Sequence, residues 1–247
     1  MEKKLFGGFM NQKPKYGRVL LKLSGEALAG SQNFGFNYEV MREICIQIKN
    51  LQGLGVKVAI VVGGGNFWRG KTSGAMDRTR ADHIGMLATT MNALAVADLL
   101  ENLGVEVRVQ TAISVQAVAE PYIRNRAMRH LEKNRVVILG CGTGNPFFST
   151  DTAASLRAAE IEADIIFKAT QVDGVFDKDP NKFSDAVKFD QISFDEVIDR
   201  NLNFADLTAI TMCKGSGIPW FVFNLNKPDN ILKAALGEQV GTLVTNQ

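Results

Sequence analysis

RVVILGCGTGNPFFSTD, residues 135–151, decides the fold. Arg135–Leu139 is rich in β-branched residues and too short for a typical helix, which predicts a strand. Gly140-Cys141-Gly142-Thr143-Gly144-Asn145-Pro146 breaks it, and after Phe147-Phe148 the triplet Ser149-Thr150-Asp151 predicts a helix start. The unit is strand, glycine turn, helix. Without Cβ, glycines let backbone N–H groups approach an anion closely and take up positive φ. A helix N-terminus adds further N–H donors and partial positive charge.

The same grammar recurs upstream. RVLLKL (Arg18–Leu23) runs into Ser24-Gly25-Glu26, with Lys22 inside the strand, and KVAIVV (Lys57–Val62) runs into Gly63-Gly64-Gly65-Asn66 and then Arg69. Val105–Gln110, Ile165–Ala169 and Trp220–Leu225 predict further strands. Helical patterns lie between them. Val40, Ile44 and Ile48 repeat at four-residue spacing behind Asn37 as N-cap, with Gly53 or Gly55 as the stop. Asp82–Leu103 carries Leu87, Met91, Leu94 and Leu99 on or near one face, and Pro121–Lys133 is a third helix. Ser193–Asp199 opens with a capping box of Ser193 and Glu196, and Ala205–Lys214 is another helix. This alternation predicts an α/β fold, a three-layer α/β/α arrangement with a mostly parallel central sheet. Ligands bind such sheets beyond the carboxyl ends of the strands, so the three glycine segments, with Lys22 and Arg69, would converge on one edge. One glycine turn alone would be ordinary; three in register predict polyphosphate binding.

The composition of the 247 residues, 46% hydrophobic and 22% charged, is that of a soluble globular protein able to bury a sizeable core. A formal net charge of +2 is too small to make nucleic acid or a membrane surface the main partner. Lys3, Lys4, Lys13, Lys15 and Arg18 cluster at the start, where no aromatic stacking platform accompanies them; we take residues 1–16 as a solvated basic tail and 17–247 as a single domain. Cys45, Cys141 and Cys213 lie far apart and are odd in number, which argues against a disulfide framework and for a reducing cytoplasm. No unbroken apolar run reaches the length of a membrane span, and Pro14 and the lysines interrupt any signal-peptide core.

Gly65-Asn66-Phe67-Trp68-Arg69-Gly70-Lys71-Thr72 fits the P-loop pattern literally. A P-loop needs a helix beginning at its Lys-Thr, yet Ser73-Gly74-Ala75-Met76-Asp77 is poor helix material, and no later strand ends in an Asp suited to hold magnesium.

From Lys22 onward the chain instead resembles the amino-acid kinase family, and within it the bacterial UMP kinases. The matching segments are Lys22-Leu23-Ser24-Gly25-Glu26-Ala27-Leu28; Gly63-Gly64-Gly65-Asn66 with Arg69; Asp82-His83-Ile84-Gly85-Met86-Leu87-Ala88-Thr89; Gly142-Thr143-Gly144-Asn145-Pro146-Phe147-Phe148 with Thr150-Asp151; and Lys168-Ala169-Thr170 followed by Val172-Asp173-Gly174-Val175-Phe176 and Asp179-Pro180. The resemblance implies the amino-acid kinase fold and transfer of the ATP γ-phosphoryl group to UMP, giving UDP and ADP. It implies that Lys22, Leu23, Ser24, Gly25, Gly65, Arg69, Thr170, Phe176 and Asp179 line the ATP site. Gly64, Asp82 and Thr143, Gly144, Asn145, Pro146, Phe147, Phe148, Ser149 and Thr150 would hold UMP. Lys22, Arg69 and Asp151 would serve catalysis, with Mg2+ bound through the ATP phosphates. Gly30, Ser31, Gln32, Asn33, Phe34 and Gly35 correspond to a segment implicated in activation by GTP, in a loop expected away from the phosphate edge. Inhibition by UTP and a homohexamer are further family expectations. Asp206 matches a recurring acidic position without a settled role. The loop Gly70–Ala81 is shorter than in some relatives, and the N-terminal tail is longer.

Plainer readings stand beside these. Asp82 could simply be the N-cap of its helix, Phe176 could be core, and Asp179-Pro180 is a common turn pair. His83 and His130 have no metal-ligand spacing, and Cys141 reads as a small buried residue. The rivals are a relative acting on a carboxylate or carbamate, and a non-catalytic nucleotide sensor or oxyanion-storage protein.

Overall fold

The computed structural model describes residues 12–32, 34–69 and 74–247. In chain order its elements are β1 (Arg18–Leu23), α1 (Gly25–Ala29), α2 (Tyr38–Gly53), β2 (Lys57–Val62), α3 (Arg78–Asn102), β3 (Val107–Thr111), β4 (Glu120–Pro121), α4 (Arg124–Glu132), β5 (Val136–Gly140), α5 (Thr150–Glu160), β6 (Ile165–Thr170), β7 (Gln191–Ser193), α6 (Phe194–Asp199), α7 (Leu207–Ser216), β8 (Trp220–Asn224), α8 (Asn230–Leu236) and β9 (Gly241–Thr245). The strands form one nine-stranded sheet in the order β4-β3-β5-β2-β1-β6-β8-β9-β7. All neighbours are parallel except β8 and β9.

Strand alternation explains the layering. Val19, Leu21, Val58 and Ile60 face one apolar layer, with Met41, Ile44 and Ile48 of α2 and Ala93, Val96 and Leu100 of α3. Leu20, Ala59 and Val61 face the other, with Leu131 of α4, Ala154 and Ala158 of α5 and Ile210 of α7. Period-2 side-chain direction thus builds both cores from the same buried strands, which is why those strands read as continuous apolar runs.

Several boundaries differ from the sequence expectation. The long helix begins at Arg78, because the Asp77 carboxylate accepts from Arg80 N at 3.0 Å and caps it; Asp82 therefore lies one turn inside and is not the N-cap. Pro121 pairs with Thr111 in β4, so the third helix starts only at Arg124. The short β7 and β9 and the helix α8 are additions. Asp229 precedes α8 at φ 61° without a side-chain cap, so the usual start signal is missing. By length and composition α3 could cross a membrane, unlike the expectation from unbroken runs; half of its apolar window is buried inside this fold.

Close packing sets the glycine requirement at Gly25. A Cβ there would stand 2.4 Å from Asn66 Oδ1 and 2.6 Å from Gly65 N, so α1 can abut the loop after β2 only with glycine at this point. Gly215 in α7 meets nothing within 4 Å. Gly25→Ala should therefore destabilise the fold by about 1–3 kcal/mol. Gly215→Ala should stabilise it by up to about 1 kcal/mol through helix propensity. Thermal melts of the two variants should shift in opposite directions.

Candidate active site

Lys22 of β1 and Lys168 of β6 are register partners on adjacent parallel strands, so their side chains leave the sheet on one face. Both are buried. Two ammonium groups packed side by side repel, and burial adds a desolvation cost. Asp151, in the first turn of α5, offsets both. Lys168 Nζ donates to Asp151 Oδ2 at 2.6 Å, and Lys22 Nζ lies 2.9 Å from Oδ1. That second contact is off the hydrogen-bonding direction, so buried Oδ1 keeps no hydrogen-bond partner among the described residues. Lys168 Nζ also donates to the Phe204 carbonyl.

Burial would raise the Asp151 carboxyl, but the charges of Lys22 and Lys168 outweigh it and hold the group at about 2. Burial, then the charge of Lys22, lower Lys168 to about 8, against the opposing pull of Asp151 and Asp206. An ammonium held near its neutral form by burial is a cation short of counter-charge, and an incoming anion would supply it.

The three glycine turns follow β5, β2 and β1, which are adjacent and parallel. Gly64 packs so tightly on α3 that a Cβ would stand 2.8 Å from Gly85 O. Among the described residues the Gly64 and Gly65 N–H groups find no protein acceptor. The N-terminus of α5 differs from the sequence expectation: Ser149 Oγ already accepts from Asp151 N at 3.0 Å and Thr152 N at 3.1 Å, so these donors are not open to a ligand. Ser149 Oγ donates in turn to Asp206, which also accepts from Thr152 Oγ1 at 2.9 Å and caps α7 through Ala209 N at 3.1 Å. Asp206 thus ties the starts of two helices together.

Two cavities are lined by close sequence neighbours of the cluster, one by Ser149, Thr150 and Thr152 around Asp151 and the other by Thr170 beyond Lys168. One, of about 580 Å³, is lined by Gly64, Gly65, Arg69, Asp82, Thr143, Asn145, Phe147, Phe148, Ser149 and Thr150, with Asp206 on its wall. Asp82 accepts from Arg78 Nε at 2.8 Å and from Phe147 N at 2.8 Å, so it joins α3 to the GTGNPFF loop. Thr143 Oγ1 accepts from Asn145 N at 3.1 Å, and Gly144 holds φ 83°. Phe147 and Phe148 are exposed. The other cavity, of about 530 Å³, gathers Thr170, Phe176 and Asp179, with Phe204 and Asn203 opposite. Lys22, Leu23, Ser24, Gly25, Gly144, Pro146 and Asp151 line neither; Leu23 is fully buried core, and Ser24 caps α1 by accepting from Ala27 N at 3.1 Å. Arg69 is largely exposed and pairs with Glu26.

The segment at 30–35 does not lie away from the phosphate edge. Gly35 N donates to Asn66 O at 3.1 Å, Asn66 Nδ2 donates to Gly35 O at 2.8 Å, and the Phe34 and Phe67 rings meet edge-on at 5.5 Å. Asn33 lies outside the described residues, as do Lys71 and Thr72. Among the described residues the first helix after the P-loop-like run starts at Arg78.

Lys168 is the residue that sequence reasoning passed over as a site member, although a lysine inside the strand run Ile165–Thr170 is a visible signal. Removing its partner tests the cluster. Asp151→Asn leaves two buried ammonium groups facing a neutral amide, and should cost about 3–5 kcal/mol of stability. Chemical denaturation at neutral pH measures this; an unchanged midpoint would mean the lysines find other compensation.

In sequence and in fold the chain is similar to known proteins. A sequence model described as Amino acid kinase family matches residues 17–224. The crystal structure of UMP kinase from Bacillus anthracis is 40% identical and superposes with a TM-score of 0.91, covering 94% of this chain and 97% of that one. UMP kinase from Ureaplasma parvum is 34% identical with a TM-score of 0.89, covering 94% of this chain and 99% of that one. Uridylate kinase from Archaeoglobus fulgidus is 32% identical with a TM-score of 0.72, covering 92% and 99%. The chain belongs to the amino acid kinase family.

Proposed function

We propose that the chain is a UMP kinase, a nucleoside monophosphate kinase that transfers the γ-phosphoryl group of ATP to UMP. The observation that carries this is a buried pair of lysines, near the carboxyl ends of β1 and β6, bridged by Asp151, in a fold that also holds two cavities of nucleotide size whose linings include Ser149 and Thr150 beside Asp151 and Thr170 beyond Lys168. In our reading ATP takes the cavity of Thr170, Phe176 and Asp179, and UMP the cavity of Asp82, Thr143, Asn145 and Ser149. Lys22 and Lys168 then meet the phosphates from the sheet, with Gly64 and Gly65 N–H groups and Arg69 beside them.

The nucleophile is a UMP phosphate oxygen, already ionised at neutral pH, so the reaction needs no general base. The protein's task is to hold two anionic groups in line and offset their repulsion. Magnesium on the ATP phosphate oxygens supplies further charge neutralisation. In this scheme the nucleotide's phosphates would carry the ion, and Asp151 is the carboxylate beside the lysines.

We extend the proposal to a cytoplasmic enzyme of pyrimidine nucleotide synthesis with one domain after its basic tail, which suits three free buried thiols. Half-exposed Leu87 and Met91 on α3, with Val118 and Ile123, favour self-association, and a homohexamer is the form we propose. GTP and UTP are the proposed effectors, with the 30–35 segment reaching the glycine loop through Asn66. Light scattering and effector titrations of initial rates test these extensions.

An ADP-release assay with UMP, CMP, acetylglutamate and carbamate tested separately should show UMP turned over much the fastest and only with magnesium; equal turnover of CMP, or none of UMP, contradicts the assignment. In that assay Lys22→Ala should lower kcat by on the order of a thousandfold, by analogy with cationic groups on a transferring phosphoryl. Lys71→Ala should change kcat by less than about tenfold, equivalent to roughly 1.4 kcal/mol. The opposite pattern would restore the P-loop.

The pH profile follows from Lys168. Its ammonium is needed as a charge and is lost as pH rises through about 8. The kcat/KM for ATP, which reports the free enzyme, should therefore fall above that pH. A profile flat up to about pH 10 would show that Lys168 does not titrate there or is not needed.

A further inference from the structure

Along the glycine loops α3 presents two buried polar side chains one turn apart, Thr89, which also lines the cavity of about 580 Å³, and Asn92. Each is bonded to a different glycine loop. Thr89 Oγ1 accepts from Cys141 N at 2.7 Å, in the turn after β5, and donates back to Met86 O at 2.6 Å. Asn92 Nδ2 donates to Gly63 O at 2.5 Å, in the turn after β2, and to Asn66 Oδ1 at 2.7 Å. Asn66 Nδ2 returns a bond to Asn92 Oδ1 at 2.9 Å and donates its other N–H to Gly35 O. All four N–H donors of the two buried amides are thus used, which fixes both amide orientations. Buried polar groups are costly unless satisfied, so packing alone would be served as well by apolar residues at these positions. Each residue spends one bond on loop backbone, Thr89 on Cys141 N and Asn92 on Gly63 O.

We propose that Thr89 and Asn92 are positioning residues: one rigid helix face fixes the spacing between the loop after β2 and the loop after β5, and so the alignment of phosphoryl donor and acceptor. The inference rests on the kinase reading, in which both loops line the cavity given to UMP and the loop after β2 also meets the transferring phosphates. Cys141 at φ 62° and Gly63 are the points of attachment, so a shift of α3 moves both loops together, whereas loss of one bond lets them drift apart. A misplacement of about 1 Å can cost on the order of a hundredfold in rate without a contact to substrate.

The test uses the full-length protein and three variants. Thr89→Val keeps the shape and removes the acceptor for Cys141 N; Thr89→Ser keeps the oxygen; Asn92→Ala removes both donations. Steady-state kinetics are measured beside calorimetric binding of UMP alone and of magnesium-ATP alone. Thr89→Val and Asn92→Ala should each lower kcat by about tenfold or more while each single-nucleotide Kd moves less than about threefold, and Thr89→Ser should stay within about threefold of wild type. The inference is overturned if kcat is retained in Thr89→Val, if kcat and single-nucleotide binding fall together, or if Ser fails as badly as Val. Should Asn92→Ala not fold, the Thr89 pair decides alone. A wild-type protein inactive on UMP sinks the kinase reading and this inference with it; an active wild type with unaffected variants sinks the inference only.

Discussion

Asp151 stands between two buried lysines, and the site depends on that contact. Lys22 and Lys168 are brought together by the register of β1 and β6, which the apolar core requires whatever the side chains at those positions carry. Without an anion between them the parallel sheet would seat two like charges side by side in a desolvated place. Asp151 is delivered by the first turn of α5, and Ser149 at the N-cap and Asp206 behind it hold that turn in place. Asp151 alone pairs with the two ammonium groups, while Asp206 offsets Lys168 from further off, so the paired cluster itself carries an excess of positive charge. That residue of charge is what a polyphosphate would neutralise.

The glycine loops supply the other half of the site by a different means. Gly25 lets α1 abut the loop after β2, and Gly64 lets that loop abut α3. These are packing requirements first. Their consequence is chemical, because backbone pressed this closely leaves the Gly64 and Gly65 N–H groups without protein acceptors among the described residues. Glycine for close approach and glycine for anion binding are here the same residues.

How much could be read beforehand follows from which forces act locally. Strand cores, the three glycine turns and their common edge were legible, because β-branched runs and glycine breaks are local signals. Short β7 and β9 were not, because tertiary pairing rather than pattern makes them strands. Two acids competed for the start of α3, and the side chain of Asp77 won it, leaving Asp82 to bind Phe147 N. Lys168 lay in plain view inside a strand, but its partner is 17 residues away and nothing in the spacing announces the pair. The 30–35 segment looked remote because its bonds to Asn66 run across 31 residues of sequence.

A crystal structure with UMP and a non-hydrolysable ATP analogue bound together bears most directly on the account. The transferable phosphoryl group should lie between the ammonium groups of Lys22 and Lys168, with UMP in the cavity of Asp82, Thr143 and Asn145 and the analogue's base near Phe176. Phosphates seated away from both lysines, with the Lys22–Asp151–Lys168 cluster undisturbed and turned from the ligands, would contradict it.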